Sequence, residues 1–335
     1  MMTKREEIMR IFPDSLKPRW EHALLQVDKL QEIRLAIGQP VRIMTAGAEK
    51  FLSDKGISDY CNQDIWCITE REINEILQNV CRHSLYAFEN EIRQGFLTVP
   101  GGHRIGVAGQ VVLSGDGSIR NITHIRFMNI RISHEVIGAA DEVMNFLYQD
   151  TSFLNTLIIA PPGCGKTTLL RDIVRQVSDG NPYAGGKQVG VVDERSEIAG
   201  SFMGIPQNNV GMRTDVLDAC PKIQGMMLLM RSMAPAVVAV DEIGNYEDMK
   251  ALSRILKCGS SVLATVHGNS MEDIYKFMHM DKDDRDNSRA YRPEMIFDRY
   301  IFLEKRSGMC KVSDVLDKQG HRLKKQEFSD RQICA

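Results

Sequence analysis

The segment Leu154–Asp172 constrains the fold most, because it joins three kinds of local sequence in direct succession. An apolar run at Leu157–Ile159 predicts a buried strand, and Pro161–Gly165 predicts a glycine-rich turn. Lys166 then opens a stretch with apolar residues at helical spacing. This order is typical of a phosphate-binding loop, and its two flanking elements disfavour a chance glycine-rich turn before a core helix.

The residue types in this loop fit the binding of nucleotide phosphates. Glycines let several backbone N–H groups face one anion, and the helix N-terminus adds its dipole. We expect Lys166 to contact the outer phosphates and act in catalysis, and Thr167 to ligate Mg²⁺. Ala160 replaces the first glycine of the usual pattern, which is tolerable where φ is negative. The expected nucleotide-binding residues here are Pro162, Gly163, Cys164, Gly165, Lys166, Thr167 and Thr168.

A second apolar strand, within Pro235–Gly244, ends in two acids. Asp241 is suited to hold Mg²⁺ through water, and Glu242 to polarise the water that attacks the γ-phosphate. An apolar strand that meets ordinary surface acids is common in isolation. After a phosphate-binding loop, the pair predicts a nucleoside triphosphatase rather than a protein that only binds phosphate.

Two more strands are predicted to end at the same sheet edge. Ser261–Val266 is followed by His267, which we expect to sense the γ-phosphate, and Val189–Asp193 is followed by Glu194 as a further catalytic candidate. Open α/β sheets bind ligands at this edge. The alternatives are a surface histidine and an ordinary solvated charge.

Arginines matter because a guanidinium can stabilise charge that develops on the γ-phosphate, often from a neighbouring subunit. Arg213 and Arg231 are catalytic candidates in the second half of the chain, and Arg104 and Arg131 are nucleotide-binding candidates in the first half. Each could instead be a surface salt-bridge former. Spacing does not rank them.

Composition narrows the class of partner. The 335-residue chain is 43% hydrophobic and 26% charged, as expected of a globular protein. Its net charge of −2 gives no global attraction to nucleic acid, so no nucleic-acid partner is expected. Eight cysteines without a C-x-x-C pair indicate a reducing cytosol. No run approaches the roughly 18 apolar residues of a membrane span, so we expect a cytoplasmic protein without direct membrane insertion.

The chain length predicts two domains, since single cores stop growing near about 250–300 residues. We assign 1–135 to an α+β N-terminal domain, in which residues 1–30 form a helix broken by Pro13 and Pro18. Short antiparallel strands follow within 33–52. Thr69–Phe88 predicts a helix with Thr69 as its N-cap. Pro100–Gly102 predicts a hairpin, and 129–133 predicts one more strand.

The second half reads as alternating strands and helices, which predicts an α/β fold with a mainly parallel sheet. A linker helix at 136–150 is expected to precede a P-loop domain at 151–320, and 321–335 to form a charged tail. The strand candidates are 154–159, 188–193, 236–241, 262–266 and 299–304.

With these motifs placed, Met227–Asp248 resembles the Walker B region of the secretion-type AAA+ ATPases of type II and type IV secretion and pili. Arg231, Pro235 and Glu242 occupy the positions of that family's arginine, proline and glutamate. The resemblance implies a P-loop NTPase of the AAA+/RecA-like type. In these ATPases the N-terminal domain contributes arginines that contact the nucleotide. The resemblance implies the same role for Arg104 and Arg131.

A closer resemblance is to the stage III sporulation protein AA family of endospore-forming bacteria. It rests on EIRLAIGQPVRI, GFLTVPGGHRIGVAG, NIRISHE, APPGCGKTTLLRD, VGVVDERSEIAG and AVDEIG, which run over most of residues 30–270. This resemblance implies a cytoplasmic mother-cell ATPase that uses ATP and Mg²⁺ and forms a hexamer. It also implies docking on inner-membrane proteins of a channel between mother cell and forespore.

We therefore expect an ATP-hydrolysing motor that powers or assembles this trans-envelope channel. One alternative is a nucleotide-dependent ring scaffold with negligible turnover. Another is a nucleic-acid translocase on the same core, which the near-neutral charge disfavours. The sequence carries no base-recognition motif, so the choice of ATP over GTP rests on the resemblance.

Overall fold

A computed structural model describes residues 3–21, 30–53, 56–62, 64–82, 84, 88–278, 296–306 and 309–323. The chain divides into two compact units, Met1–Ser133 and His134–Ala335. Part of the predicted N-terminal helix, 22–29, and the predicted tail from residue 324 lie outside the described residues. Over the described ranges, no helix combines the length and apolarity that crossing a membrane requires.

The first unit is an antiparallel sheet with short helices. The sheet order is β4-β3-β2-β1-β7-β6-β5. Its helices are α1 (Lys4–Met9), α2 (Lys17–Glu21), α3 (Glu70–Val80) and α4 (Glu89–Arg93). Its strands are β1 (Leu30–Ala36), β2 (Arg42–Thr45), β3 (Ala48–Ser53), β4 (Gly56–Ser58), β5 (Phe96–Val99), β6 (His103–Leu113) and β7 (Ile119–Arg131).

The predicted capped helix is present as α3. The Thr69 hydroxyl accepts the Glu72 backbone N–H at 3.3 Å, and the Glu72 carboxylate accepts the Thr69 N–H at 2.7 Å. The helix ends at Val80 rather than at the predicted Phe88. Arg82 has a φ of 48°, in the left-handed region, which is incompatible with continuing the helix.

The predicted hairpin joins β5 to β6, and Gly101 and Gly102 supply its positive φ angles of 86° and 72°. The strand predicted at 129–133 is the end of β7, which starts much earlier, at Ile119. β7 pairs with β1 and β6. Alternate residues such as Ile130 are buried and face the core of this unit.

The second unit is built on the predicted mainly parallel sheet, in the order β14-β13-β15-β16-β10-β17-β18. Its strands are β10 (Thr156–Ala160), β13 (Val189–Asp193), β14 (Thr214–Asp218), β15 (Val237–Val240), β16 (Ser261–His267), β17 (Arg299–Arg306) and β18 (Met309–Asp317). Two small ribbons pair β8 (Tyr148–Gln149) with β9 (Ser152–Phe153) and β11 (Gly180–Asn181) with β12 (Ala184–Gly185).

Helices cover both faces of this sheet. They are α5 (Lys166–Asp179), α6 (Lys222–Ser232), α7 (Tyr246–Lys257) and α8 (Met271–Met278). Leu169 and Ile173 of α5 are buried in one core layer, and Met226 of α6 and Leu252 of α7 are buried in the other. Burial on both faces explains why the central strands read as continuous apolar runs.

All five strands predicted in this half are present, and two strands of the large sheet, together with the four short ribbon strands, were not predicted. β14, with the sequence TDVLD, is only partly buried and carries charges, so it lacks an apolar run. β18 pairs antiparallel with β17 at the sheet edge. Its buried residues Cys310, Val312 and Val315 do not keep a strict two-residue alternation, so the pattern did not mark it as a strand.

The linker helix predicted at 136–150 is wrong. The segment consists of turns and a 3₁₀ helix at Met144–Phe146. Gly138 has a φ of 84°, which an α-helix cannot contain. Apolar residues of this segment, such as Ala140 and Leu147, are buried in the core of the second unit.

Candidate nucleotide site

Four neighbouring strands end at one edge of the parallel sheet. β13, β15, β16 and β10 are adjacent in that order. Their carboxyl ends lead into Glu194, Asp241, His267 and the phosphate-binding loop respectively. The sequence predicted these groups at a common edge, and the strand order of the structure places them there.

The backbone of the loop has the conformation that its glycines allow. Gly163 and Gly165 have φ angles of 71° and 78°, and Gly165 is the N-cap of α5. Ala160 is the buried last residue of β10 and does not have a positive φ. Alanine is therefore accommodated there without backbone strain.

The Lys166 ammonium has three partners, one for each of its hydrogens. Nζ lies 3.1 Å from the carbonyl oxygens of both Ala160 and Pro161, and 2.8 Å from Nδ1 of His267. Burial lowers the pKa of Lys166, opposed by the charges of Asp241 and Glu242. These partners hold the ammonium over the loop where phosphates would sit.

Thr167, Asp241 and Thr265 form a chain of hydroxyl and carboxylate groups. The Thr167 hydroxyl donates to Oδ2 of Asp241 at 2.6 Å, and the buried Thr265 hydroxyl donates to Oδ1. The Thr265 oxygen in turn accepts the Glu242 backbone N–H at 2.9 Å. Thr265, which lies in β16 two residues before His267, thus orients both acids.

The Glu242 carboxylate lies between two nitrogen donors. Oε1 is 2.9 Å from Nε2 of His267, and Oε2 is 3.0 Å from Nη1 of Arg195. Because Nδ1 of His267 accepts from the Lys166 ammonium, the hydrogen-bond network assigns the ring proton to Nε2. Glu242 itself has a φ of 50°, which is uncommon outside glycine.

A charged cleft surrounds these acids. Its lining residues are Asp193, Glu194, Arg195, Glu197, Lys222, Asp241 and Glu242. Glu194 is exposed, and its Oε2 lies 3.6 Å from Nζ of Lys222. Lys222 was not predicted as a site residue, since a single lysine at a helix start carries no motif. Arg195 directly follows Glu194 and was likewise not predicted as a site residue.

Below the cleft, buried groups fix the loop that follows β13. The Asp193 carboxylate accepts the N–H groups of Glu197 and Ala199, both at 2.8 Å. Burial raises the pKa of Asp193 to about 6. The buried Arg171 guanidinium donates to the carbonyl oxygens of Glu197 at 2.7 Å and Ile198 at 2.5 Å.

The other predicted loop residues surround the glycines. Pro162 is exposed, Thr168 lies in the first turn of α5, and Cys164 is buried. Burial raises the pKa of the Cys164 thiol, with the neighbouring Cys310 adding to the shift. Cys310 donates to the Gly163 carbonyl oxygen at 3.4 Å, so the last strand of the sheet supports the loop.

The structure does not bring Arg213 or Arg231 to the site of their own chain. Arg213 donates to the carbonyl oxygen of Ser178 at the C-terminal end of α5, opposite Lys166. Arg231 is exposed in the last turn of α6, whose first residue lies at the cleft. In the first unit, Arg104 and Arg131 are direct cross-strand neighbours. Arg104 also stacks on the ring of Phe96.

The donor set at the loop suits Mg²⁺. Thr167 and Asp241 offer a hydroxyl and a carboxylate oxygen, and Mg²⁺ is usually held by one or two such protein ligands together with substrate phosphates. Over the described ranges, no group of three His, Cys, Asp or Glu side chains could hold a metal ion by itself.

Solved structures share this architecture. The ATPase DotB of Legionella pneumophila aligns with a TM-score of 0.57 and 13% identity, covering 92% of this chain and 81% of its own. The pilus retraction motor PilT with bound ADP aligns with a TM-score of 0.54 and 15% identity, covering 87% and 80%. At these identities the likeness shows the fold, and it confirms the predicted P-loop NTPase class.

Sequence comparison gives the family. Stage III sporulation protein AA of Bacillus subtilis (strain 168) is 39% identical over 322 residues, which are 95% of this chain and 96% of that protein. The family model described as "Sporulation stage III, protein AA" matches residues 2–323. The resemblance drawn from the motifs is therefore confirmed, and the chain belongs to the stage III sporulation protein AA family.

Proposed function

We propose that this chain is an ATP-hydrolysing, secretion-type motor that powers or assembles a trans-envelope channel during endospore formation. The observation that carries the proposal is the convergence of Lys166, Thr167, Asp241 and Glu242 at one sheet edge. The sporulation family name and the motor and ATPase titles of the structural neighbours support it.

In this proposal, ATP is the substrate and the loop residues Pro162–Thr168 bind its phosphates. Lys166 would exchange its carbonyl and imidazole partners for phosphate oxygens, and Thr167 and Asp241 would hold Mg²⁺. When bound, Mg²⁺ would supply positive charge at the phosphate oxygens. Loop, lysine and hydroxyl are the parts that P-loop NTPases use for this purpose.

Glu242 is the group we assign to water activation. Its carboxylate is already oriented by His267 and Arg195, so it can accept a proton from water without a change of side-chain rotamer. His267 also contacts Lys166, which links the phosphate-binding and water-activating groups. We assign His267 to sensing the γ-phosphate, and Glu194 to the polar wall of the same cleft.

We further propose that the active form is a homo-oligomeric ring, a hexamer. Arg213 and Arg231 lie away from the site of their own chain, which supports a role for one of them at the site of a neighbouring subunit. Arg104 and Arg131 of the first unit are the arginines we assign to the nucleotide by resemblance. Ring assembly would let hydrolysis in one subunit move the next.

We also propose that this ring lies at the cytoplasmic face of a membrane complex in the mother cell, with inner-membrane proteins of the channel as partners. The family description supports the link to sporulation. We expect no nucleic-acid partner, because the chain has a net charge of only −2. DNA-stimulated hydrolysis would contradict that expectation.

The test is steady-state ATP hydrolysis by the wild type, Lys166→Ala and Glu242→Gln, with assembly followed by light scattering in the same samples. Both substitutions should lower kcat by about 100-fold or more. Glu247→Gln is the matched control, because Glu247 is exposed and pairs only with Lys250 among the contacts seen. ATP-dependent assembly without turnover in the wild type would contradict the motor and favour a ring scaffold.

A further inference from the structure

Lys222 lies where three elements of the second unit meet. Its Nζ is 2.5 Å from the backbone carbonyl oxygen of Glu242 and 3.6 Å from Oε2 of Glu194. It is also 3.6 Å from Oδ2 of Asp248, in the first turn of α7. Only 15% of the Lys222 side chain is exposed. One ammonium therefore connects the ends of β13 and β15 with the start of α7.

The backbone that Lys222 contacts is an unusual one. Glu242 has a φ of 50°, a conformation that residues with a β-carbon rarely adopt, so it persists only where its surroundings fix it. On its N-terminal side, the Glu242 N–H donates to Thr265 at 2.9 Å. On its C-terminal side, the described contact of its carbonyl oxygen is with Lys222.

The loop after Glu242 depends on the same ammonium. The Asp248 carboxylate is 2% exposed and accepts the Gly244 N–H at 2.7 Å. A buried carboxylate needs a compensating positive charge, and Lys222 supplies it. Lys222 thus holds Glu242 directly through its carbonyl and indirectly through Asp248 and Gly244.

We propose that Lys222 is a positioning residue for Glu242, which keeps the Glu242 backbone left-handed and so aims its carboxylate into the cleft. This inference rests on the proposed function, in which Glu242 activates water. Lys222 acts on the main chain of Glu242, whereas His267 and Arg195 act on its carboxylate. Its removal should therefore affect turnover far more than nucleotide binding.

The experiment compares Lys222→Met and Lys222→Arg with Lys250→Met, which removes a partly exposed lysine of α7 that pairs with Glu247. For Lys222→Met, we expect kcat to fall by about 30- to 100-fold, as for a misplaced catalytic group, with the nucleotide Kd within about threefold. Lys222→Arg should recover activity to within about tenfold, because its guanidinium can still donate to the carbonyl and carboxylates. Lys250→Met should match the wild type.

A second measurement asks whether Lys222 acts through Glu242. In the Glu242→Gln background, Lys222→Met should change residual turnover by less than about threefold, because coupled residues are not additive. A full additional loss would overturn the proposal. An unchanged kcat in Lys222→Met, with Glu242→Gln inactive, would also overturn it. A nucleotide Kd that rises by as large a factor as kcat falls would do the same.

Amide hydrogen exchange keeps the test independent of turnover. In Lys222→Met, exchange over 241–245 should rise at least about tenfold while the loop at 161–167 is unchanged, since only the former segment loses an anchor. Unchanged exchange over 241–245 would overturn the proposal. A wild type that does not hydrolyse ATP would contradict the proposed function instead, and exchange would still decide the role of Lys222.

Discussion

The Thr167 hydroxyl lies 2.6 Å from Oδ2 of Asp241, although 74 residues separate them in sequence. Thr167 lies in the first turn of α5 and Asp241 follows β15, so the contact joins the phosphate-binding loop to the acidic end of another strand. Both atoms are hard oxygen donors of the kind Mg²⁺ prefers.

Asp241→Asn should therefore weaken the metal dependence of hydrolysis. We expect kcat to fall by about 100-fold and the Mg²⁺ concentration for half-maximal activity to rise, because an amide oxygen lacks the charge of a carboxylate. Hydrolysis measured over a Mg²⁺ titration checks this. Asp215→Asn, at β14, is the control. An unchanged Mg²⁺ dependence would remove Asp241 from the metal site.

His267→Gln should separate binding from turnover. His267 takes one of the three hydrogens of the Lys166 ammonium and orients Glu242. Without the imidazole, Lys166 is freer for phosphate, so the nucleotide Kd should fall by about threefold. Loss of the Glu242 contact should lower kcat at least about tenfold.

Fluorescent-nucleotide titration and steady-state kinetics measure these two effects on His267→Gln. His321→Gln is the control, since His321 contacts Asp317 at an exposed turn. Weaker nucleotide binding in His267→Gln would show that the imidazole supports phosphate binding rather than competing with it.

Arg171→Met should destabilise the second unit. Its buried guanidinium donates to the carbonyl oxygens of Glu197 and Ile198, and methionine would leave both without this donor. We expect a loss of about 2–4 kcal/mol in the free energy of unfolding. Arg195→Ala removes an arginine whose side chain is 62% exposed, and it should change the free energy of unfolding by less than about 1 kcal/mol. Urea titration of both variants measures these two losses of stability. Equal losses in Arg171→Met and Arg195→Ala would contradict the prediction.

Asp193 should make stability depend on pH. Burial raises its pKa from 3.8 to about 6, so the folded state binds this proton more tightly than the unfolded chain does. Stability from this group is therefore greatest below about pH 4, falls as pH rises to about 6, and stays reduced above it.

The measurement for Asp193 is urea unfolding between about pH 4 and pH 7. In Asp193→Asn, the free energy of unfolding should fall less steeply with rising pH than in the wild type. In Asp150→Asn, which changes a residue at an exposed turn, the dependence on pH should match the wild type. Identical slopes in the wild type and Asp193→Asn would show that Asp193 does not titrate in this range.

Cysteine reactivity should follow burial. Burial raises the pKa of Cys81 to about 11 and also raises that of Cys164. Cys61, Cys67 and Cys258 are exposed. Because the thiolate is the reactive form, iodoacetamide should modify the exposed thiols at least about 100-fold faster, as peptide mass spectrometry can show. Rapid modification of Cys164 in the folded protein would contradict its buried position beneath the loop.

The sequence predicted well those parts of the molecule whose structure is determined by a few consecutive residues. A few residues suffice to recognise the loop at Pro161–Gly165, the strand ending at Asp241 and the Thr69 cap. Lys222 and Arg171 could not be found this way, because their partners come from other elements. The error at 136–150 has the same cause, since the apolar residues of that segment are buried in a core to which other elements of the second unit contribute.

The position of β10 inside the sheet has a consequence for synthesis. Thr156 pairs with Leu263 on one side and with Arg299 on the other, so both neighbours of the phosphate-binding strand are translated long after it. The strand therefore lacks one of its two neighbours until β17 has left the ribosome. Until then, the strand has at least one unpaired edge, which makes a chain truncated before β17 a substrate for chaperones or aggregation.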